Sequence, residues 1–256
     1  MEPLGYDMQK NVLIPLPSKD FDPTEVAIPW KILNDSQVKV VFATPTGNEA
    51  VCDQHMLTGS RLGPLAPLLA ADKNALKAYQ ELTQADEFHH PVKWDEISPD
   101  QFQGLLLPGG HAQGMKEYLE SSLLQKTVSH FFEMNKPVGA ICHGVVLAAR
   151  SQRPDGRSVL YGRKTTALLA SQEMAAWVLT CTWLGNYYRT YPQTVESEVT
   201  AALETREHFL KGPTPLFRDS SSHLGRGFVV QDGNYLSARW PGDAHVFANA
   251  FMKMLR

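Results

Sequence analysis

Residues 138–149 read VGAICHGVVLAA. The apolar run Val138–Ile141 has the length and character of a buried strand, and Gly144–Arg150 opens a helical pattern. A thiol and an imidazole occupy the corner between them. In Ala140-x-Cys142-x-Gly144, small residues stand two before and two after the cysteine. That is the spacing of a nucleophile elbow, whose tight turn leaves no room for large flanking side chains. At the start of a helix the sulfur meets unpaired backbone N–H groups and the positive end of the dipole, which favour thiolate. The His143 backbone N–H is then a candidate oxyanion donor. The competing reading is a packed, inert core cysteine.

Outward from this corner the chain alternates strand and helix. Asn11–Leu16 reads as a strand, and Asp22 is a candidate N-cap with Pro23 in the first turn of the helix that follows. Pro29 inside that pattern predicts a kink or an early break. Val38–Ala43 and Gly104–Leu107 are further strands, and Ser121–Met134 is an amphipathic helix. Ser158–Leu160 with Lys164–Ala167, Gly227–Val230 and Tyr235–Ala238 supply later strands, and Asp243–Leu255 is a closing helix. This rhythm predicts an α/β fold, a mostly parallel central sheet between two helical layers. Residues 55–95 and 171–226 break the alternation and read as insertions, leaving one domain over 1–256.

Composition narrows the function. At 43% hydrophobic and 20% charged residues the chain is that of an ordinary globular protein. A net charge of −3 without a basic run argues against nucleic acid or an anionic membrane as partner. No apolar run approaches a bilayer span, and the N-terminal MEPLGYDMQK lacks a signal-peptide layout. Three scattered cysteines, Cys52, Cys142 and Cys181, fit free thiols in a reducing cytoplasm rather than a disulfide framework. There is no P-loop and no G-x-G-x-x-G after the first strand. No set of residues has metal-ligand spacing, and His89-His90 reads as surface. The expectation is therefore no cofactor and no metal. The aromatic stretch 182–192 reads as core or interface. Arg189 and Arg239 are candidates for an anionic group, although surface or ion-paired arginines are commoner.

The loop Pro108-Gly109-Gly110-His111 follows the strand Gly104–Leu107. Its glycines can bring backbone N–H groups close to a bound group, which makes the Gly110 N–H a second oxyanion candidate beside Cys142. Together, LLLPGGHAQGM (105–115) and KPVGAICHGVVLAA (136–149) resemble the ThiJ/PfpI superfamily, and within it the glyoxalase III and heat-shock chaperone branch. The resemblance covers roughly 10–170 and 227–255. It implies a flavodoxin-like three-layer sandwich and a glutamate from an early helix turn against the cysteine. FDPTEVAIPW (21–30) nominates Glu25 for that place. A carboxyl group must be protonated to donate there, which implies a raised pKa. The branch also has an acid joined to the Cys–His pair. Here KTTALLASQEM (164–174) carries leucines about where the acid belongs, and Glu173 is the nearest carboxylate.

The resemblance implies a Cys142 nucleophile, His143 as base or acid, and attack on a small reactive carbonyl such as a 2-oxoaldehyde, or a hydrolase or hydratase using the same parts. It also implies a homodimer. A redox-responsive protein or chaperone using an oxidisable Cys142 is the alternative, as is a degenerate member with a structural cysteine. Glutamine amidotransferases share the core, but their His-x-Glu pair is absent: the C-terminal region offers Asp243 and His245 instead.

Overall fold

In the computed structural model, which describes residues 10–256, the first strand is β1 (Asn11–Pro15). The reading of Met1–Gln9 lies outside the described residues. A short strand β2 (Lys19–Phe21) leads to helix α1 (Pro23–Asp35). Asp22 caps α1, accepting from the N–H groups of Thr24 at 2.8 Å and Glu25 at 3.0 Å. The helix runs on through the buried Pro29 without the anticipated break. Next come β3 (Lys39–Thr44) and β4 (Val51–Cys52). Residues 54–89 hold four helices, α2 (Gln54–Thr58), α3 (Ala66–Leu69), α4 (Lys73–Leu82) and α5 (Asp86–His89).

The core resumes with β5 (Val92–Lys93), β6 (Gly104–Leu107), α6 (Met115–Leu119), α7 (Ser122–Glu133), β7 (Val138–Ile141) and α8 (Gly144–Arg150). Helices α9 (Ala170–Leu184) and α10 (Val195–Ala201) precede a closing hairpin of β8 (Val229–Asp232) and β9 (Tyr235–Ala238), and α11 (Ala244–Met254) ends the chain.

Seven strands form the central sheet in the order β5-β3-β1-β6-β7-β9-β8, parallel except for β8 against β9. Every residue of β6 and β7 is buried, which explains their unbroken apolar sequences: a parallel sheet is covered on both faces. Helices α1 and α11 pack together on one side, while α7 and α8 pack against β6 and β7. The chain moves outward from β1 to β3 and returns to place β6 on the other flank of β1. The carboxyl ends of β1, β6 and β7 therefore frame a crevice at the point where strand order reverses, the usual ligand site of an open α/β sheet.

Two strand expectations fail. Ser158–Leu160 and Lys164–Ala167 make only single bridges, Gln152 with Ser158 and Thr165 with Phe209. The sheet position beside β9 is filled by β8, which starts two residues later than read from the sequence. Side chains hold the displaced segment instead: the Thr166 N–H donates to Ser237 Oγ at 3.0 Å and the Lys164 N–H to Asp232 Oδ2 at 2.8 Å. Strand β2, before α1, also pairs with β4, which follows β3.

Arg239 ends β9 in a bidentate ion pair with Asp243, Nε to Oδ2 at 2.8 Å and Nη2 to Oδ1 at 2.9 Å. Both side chains are 1% exposed. Arg239 is thereby committed to structure and is not available to an anionic substrate. Asp243→Ala leaves the guanidinium buried without its partner, so stability should fall by about 3–5 kcal/mol, read from the urea midpoint.

Candidate active site

Cys142 stands at the carboxyl end of β7 with φ of +57°, a left-handed conformation that costs a non-glycine residue of the order of 1 kcal/mol or more. The next turn can form only because residue 144 is glycine. A Cβ there would lie 2.1 Å from the Leu107 carbonyl oxygen and 2.7 Å from that of Pro108. The start of α8 is thus pressed against the end of β6, and the sulfur is held out at the sheet edge in the elbow the spacing predicted.

The same strand ends position Glu25. The Asp22 N–H donates to the Gly109 carbonyl at 2.9 Å, and the Gly109 N–H donates to Glu25 Oε2 at 2.8 Å. The first turn of α1 is clamped in this way to the loop after β6, with Glu25 against Cys142. Gly110 has φ of +151°, a region only glycine enters readily, and a Cβ on it would meet the Asp20 carbonyl oxygen at 2.6 Å. Cys142, Glu25, Gly110 and His111 line one cavity of about 270 Å³. Most of its remaining walls come from the 55–95 and 171–226 segments, including Met56, Gln172, Tyr188 and Arg218.

His143 Nδ1 is 3.5 Å from Cys142 Sγ, and His143 Nε2 is 3.1 Å from Thr190 Oγ1. The Thr190 hydroxyl has one proton, and it donates that proton to the His111 carbonyl at 2.5 Å. Thr190 must therefore accept from Nε2–H, which leaves Nδ1 bare toward the sulfur. Burial, with His111 and Arg150 nearby, lowers His143 to about 3, so the ring is neutral at physiological pH. Glu173 does not take the acid's place. Its Oε2 accepts from the Val195 N–H at 2.9 Å, and its Oε1 faces Arg189 Nε at 3.8 Å. A neutral hydroxyl from the loop after α9 occupies the position next to His143. Thr190→Val, of nearly the same shape, should lower kcat about tenfold with little change in KM, since it frees the ring orientation without touching the cavity.

Electrostatics at the elbow oppose the thiolate expected from the helix terminus. Burial raises the Cys142 thiol well above its ordinary value, and negative charge on Glu25 and Asp22 adds to this. The His143 backbone N–H works in the other direction. Burial and the neighbouring Asp22 raise Glu25 well above the ordinary carboxylate range as well, which favours its protonated form. Glu25 Oε1 is buried and has no hydrogen-bond partner among the described residues.

Asp22 is lifted by burial to about 6 from 3.8. A raised folded-state pKa means the fold binds this proton more tightly than the unfolded chain does. The stability it contributes is complete below about pH 4 and is lost as pH rises through about 6. Asp22→Asn keeps a capping oxygen. It should flatten the pH dependence of urea stability between pH 4 and 6, and the wild type should show the steeper fall.

Other sequence candidates resolve elsewhere. His245 is on α11 and bonds Asp219 Oδ1 through Nδ1 at 3.0 Å. His89 pairs with Glu49 at the surface. The aromatic stretch divides: Trp183 is about half exposed, whereas Tyr188 is buried, stacks on His111 at 4.3 Å and lines the cavity. Thr190, Arg218 and Trp240 escape sequence reading because each is a single residue in a loop, without a motif around it.

A parallel α/β sandwich presenting a cysteine elbow at its switch point defines the class of protein. Residues 16–213 match the family described as ThiJ/PfpI family-like, and the chain belongs to that family. It is 27% identical over 229 residues to a glutathione-independent glyoxalase of Schizosaccharomyces pombe, covering 87% of this chain and 84% of that protein. It is 27% identical over 169 residues to a deglycase of Thermococcus kodakarensis, covering 64% of this chain and 69% of that one. The fold also matches glyoxalase III from Candida albicans, with a TM-score of 0.65 at 17% identity over 97% and 98% of the two chains. The Francisella tularensis rapid encystment protein of 24 kDa gives a TM-score of 0.70 at 17% identity, covering 96% and 99%.

Proposed function

We propose that this protein is a cysteine-dependent enzyme converting 2-oxoaldehydes to 2-hydroxy acids without an added thiol or metal. The observation that carries the reading is the position of Cys142 Sγ between the bare Nδ1 of His143 and the Glu25 carboxyl, on the floor of a cavity. His143 takes the thiol proton as sulfur adds to the aldehyde carbon, and the oxyanion is met by the N–H groups of Gly110 and His143. The resulting hemithioacetal loses its C1 proton and regains one at C2, giving a thioester of the hydroxy acid. Water then releases the acid and restores the thiol. Substrate and water together account for every atom, so no external oxidant or reductant enters. The relatives named as glyoxalase and deglycases support a reactive carbonyl as substrate.

The test is incubation of the purified protein with methylglyoxal in the absence of glutathione, with lactate measured directly. Formation of lactate that is lost in His143→Ala supports the reading. A His143→Ala protein that still responds to peroxide through Cys142, with no lactate formed by the wild type, sinks it in favour of redox sensing. The chain is read as one domain, cytoplasmic and homodimeric. Helix α9 supports the dimer by leaving Val178, Leu179 and Trp183 about half exposed, and light scattering of Leu179→Glu tests it.

A further inference from the structure

Arg218 projects into the wall of the Cys142 cavity. Arg189 faces Glu173 and Arg239 holds Asp243, but Arg218 has no carboxylate at ion-pair distance among the described residues. Its Nη2 donates to the carbonyls of Leu69 at 3.1 Å and Ala70 at 3.0 Å, which fixes the guanidinium in place. Its Nη1 is buried and has no hydrogen-bond partner among the described residues. Trp240 lies beside it, with the guanidinium carbon 5.4 Å from the ring centroid. The indole Nε1–H is likewise buried and unpartnered. Trp240 follows β9, the strand paired with β7, so it stands at the same sheet edge as Cys142.

Buried donors are normally matched, and an unmatched one costs about 1–3 kcal/mol. Both belong to neighbouring residues that line the one cavity, a cation and an indole, and an acceptor with two oxygens would match the pair. We infer that Arg218 and Trp240 form a subsite for a carboxylate carried by the carbonyl substrate, whose aldehyde end lies at Cys142. This rests on the carbonyl reading of the Cys142 cavity and names the substrate class within it. A monoanionic carboxylate fits better than a doubly charged phosphate. Only one cation serves the subsite, and the carboxyl groups of Asp22 and Glu25 line the same cavity. The cavity, about 270 Å³, also exceeds what a three-carbon dicarbonyl fills.

Two arms test the subsite. The first compares kcat/KM for 4,5-dioxopentanoate, a 2-oxoaldehyde with a terminal carboxylate, against methylglyoxal. The second needs no turnover: it compares Cys142 labelling rates for 3-maleimidopropionate and N-ethylmaleimide, read by peptide mass. In each arm the anionic compound should be favoured at least about tenfold. That ratio should fall to near one in Arg218→Leu, remain partly in Arg218→Lys, and drop a few-fold in Trp240→Phe, which keeps the ring and removes the N–H. Loss of structure would expose Cys142 and bring the ratio toward one by itself, so the ratio is read only in variants that keep the wild-type urea midpoint, and a ratio unmoved by Arg218→Leu overturns the assignment. So does a wild type with no anionic preference in labelling, or protection from labelling by inorganic phosphate that equals protection by glutarate. If labelling shows the preference but neither dicarbonyl turns over, the subsite stands and the proposed reaction falls. Turnover without preference gives the opposite result.

Discussion

Cys142→Ser should lose turnover of 2-oxoaldehydes by a thousandfold or more, roughly the cost of deleting an essential nucleophile. The reason is the weakness of the base. His143, lowered to about 3 by its burial, can share a proton with a thiol that is already moving onto a carbon. It cannot draw one from an alcohol several orders of magnitude less acidic. The serine protein should fold like the wild type, since it inherits the same backbone geometry and nearly the same volume. Cys142→Gly separates the two contributions of this residue. With φ of +57° no longer strained, the glycine variant should be more stable by about 1 kcal/mol while being equally inactive. Melting curves and lactate assays on the three proteins check both halves. A serine variant retaining a tenth of the activity would mean that another group is the nucleophile.

Gly144→Ala carries the largest expected structural effect. A Cβ 2.1 Å from the Leu107 carbonyl oxygen has no rotamer to escape through, because the clash is with backbone. Leu107 pairs in register with Ala140 of β7, so relief would require parting the two central strands below the site. The expected cost is at least about 3 kcal/mol, a large share of the 5–15 kcal/mol typical of a folded domain. Urea titration should show an early midpoint or a chain that does not fold. A midpoint within 0.5 M of wild type would mean the elbow is looser than its contacts indicate.

The sequence is most informative where burial is complete. Gly104–Leu107 and Val138–Ile141 read as strands because a parallel strand covered on both faces has no polar positions to blur its pattern. Asp22 and Pro23 locate the start of α1 by their own chemistry, independent of distant contacts. The 158–167 segment misleads for the opposite reason. Its apolar residues are buried, yet the Lys164 and Thr166 N–H groups bond side chains of the closing hairpin and the Thr165 N–H bonds the His208 carbonyl, and no local pattern encodes that.

The candidate site divides the same way. Cys142, His143 and Gly110 stand in turns whose small residues announce them. Thr190 reaches His143 from 47 residues along the chain. Leucines near 168 suggested a missing acid; a hydroxyl in a different loop stands beside the imidazole instead. Arg218 and Trp240 are likewise defined only by what surrounds them in space.

The cavity is assembled from two materials with different freedom to change. Its floor is strand ends and a first helical turn, locked by backbone contacts at Gly109, Gly110 and Gly144. Its walls belong largely to the segments near 55–95 and 171–226, and the second of these also supplies Thr190, which holds the His143 ring. Variation in such a molecule is channelled outward. Exchanging those segments between relatives with Thr190 kept should redirect the choice of carbonyl while leaving the reactive corner in place, which makes this scaffold one whose selectivity can be retailored with its chemistry kept intact.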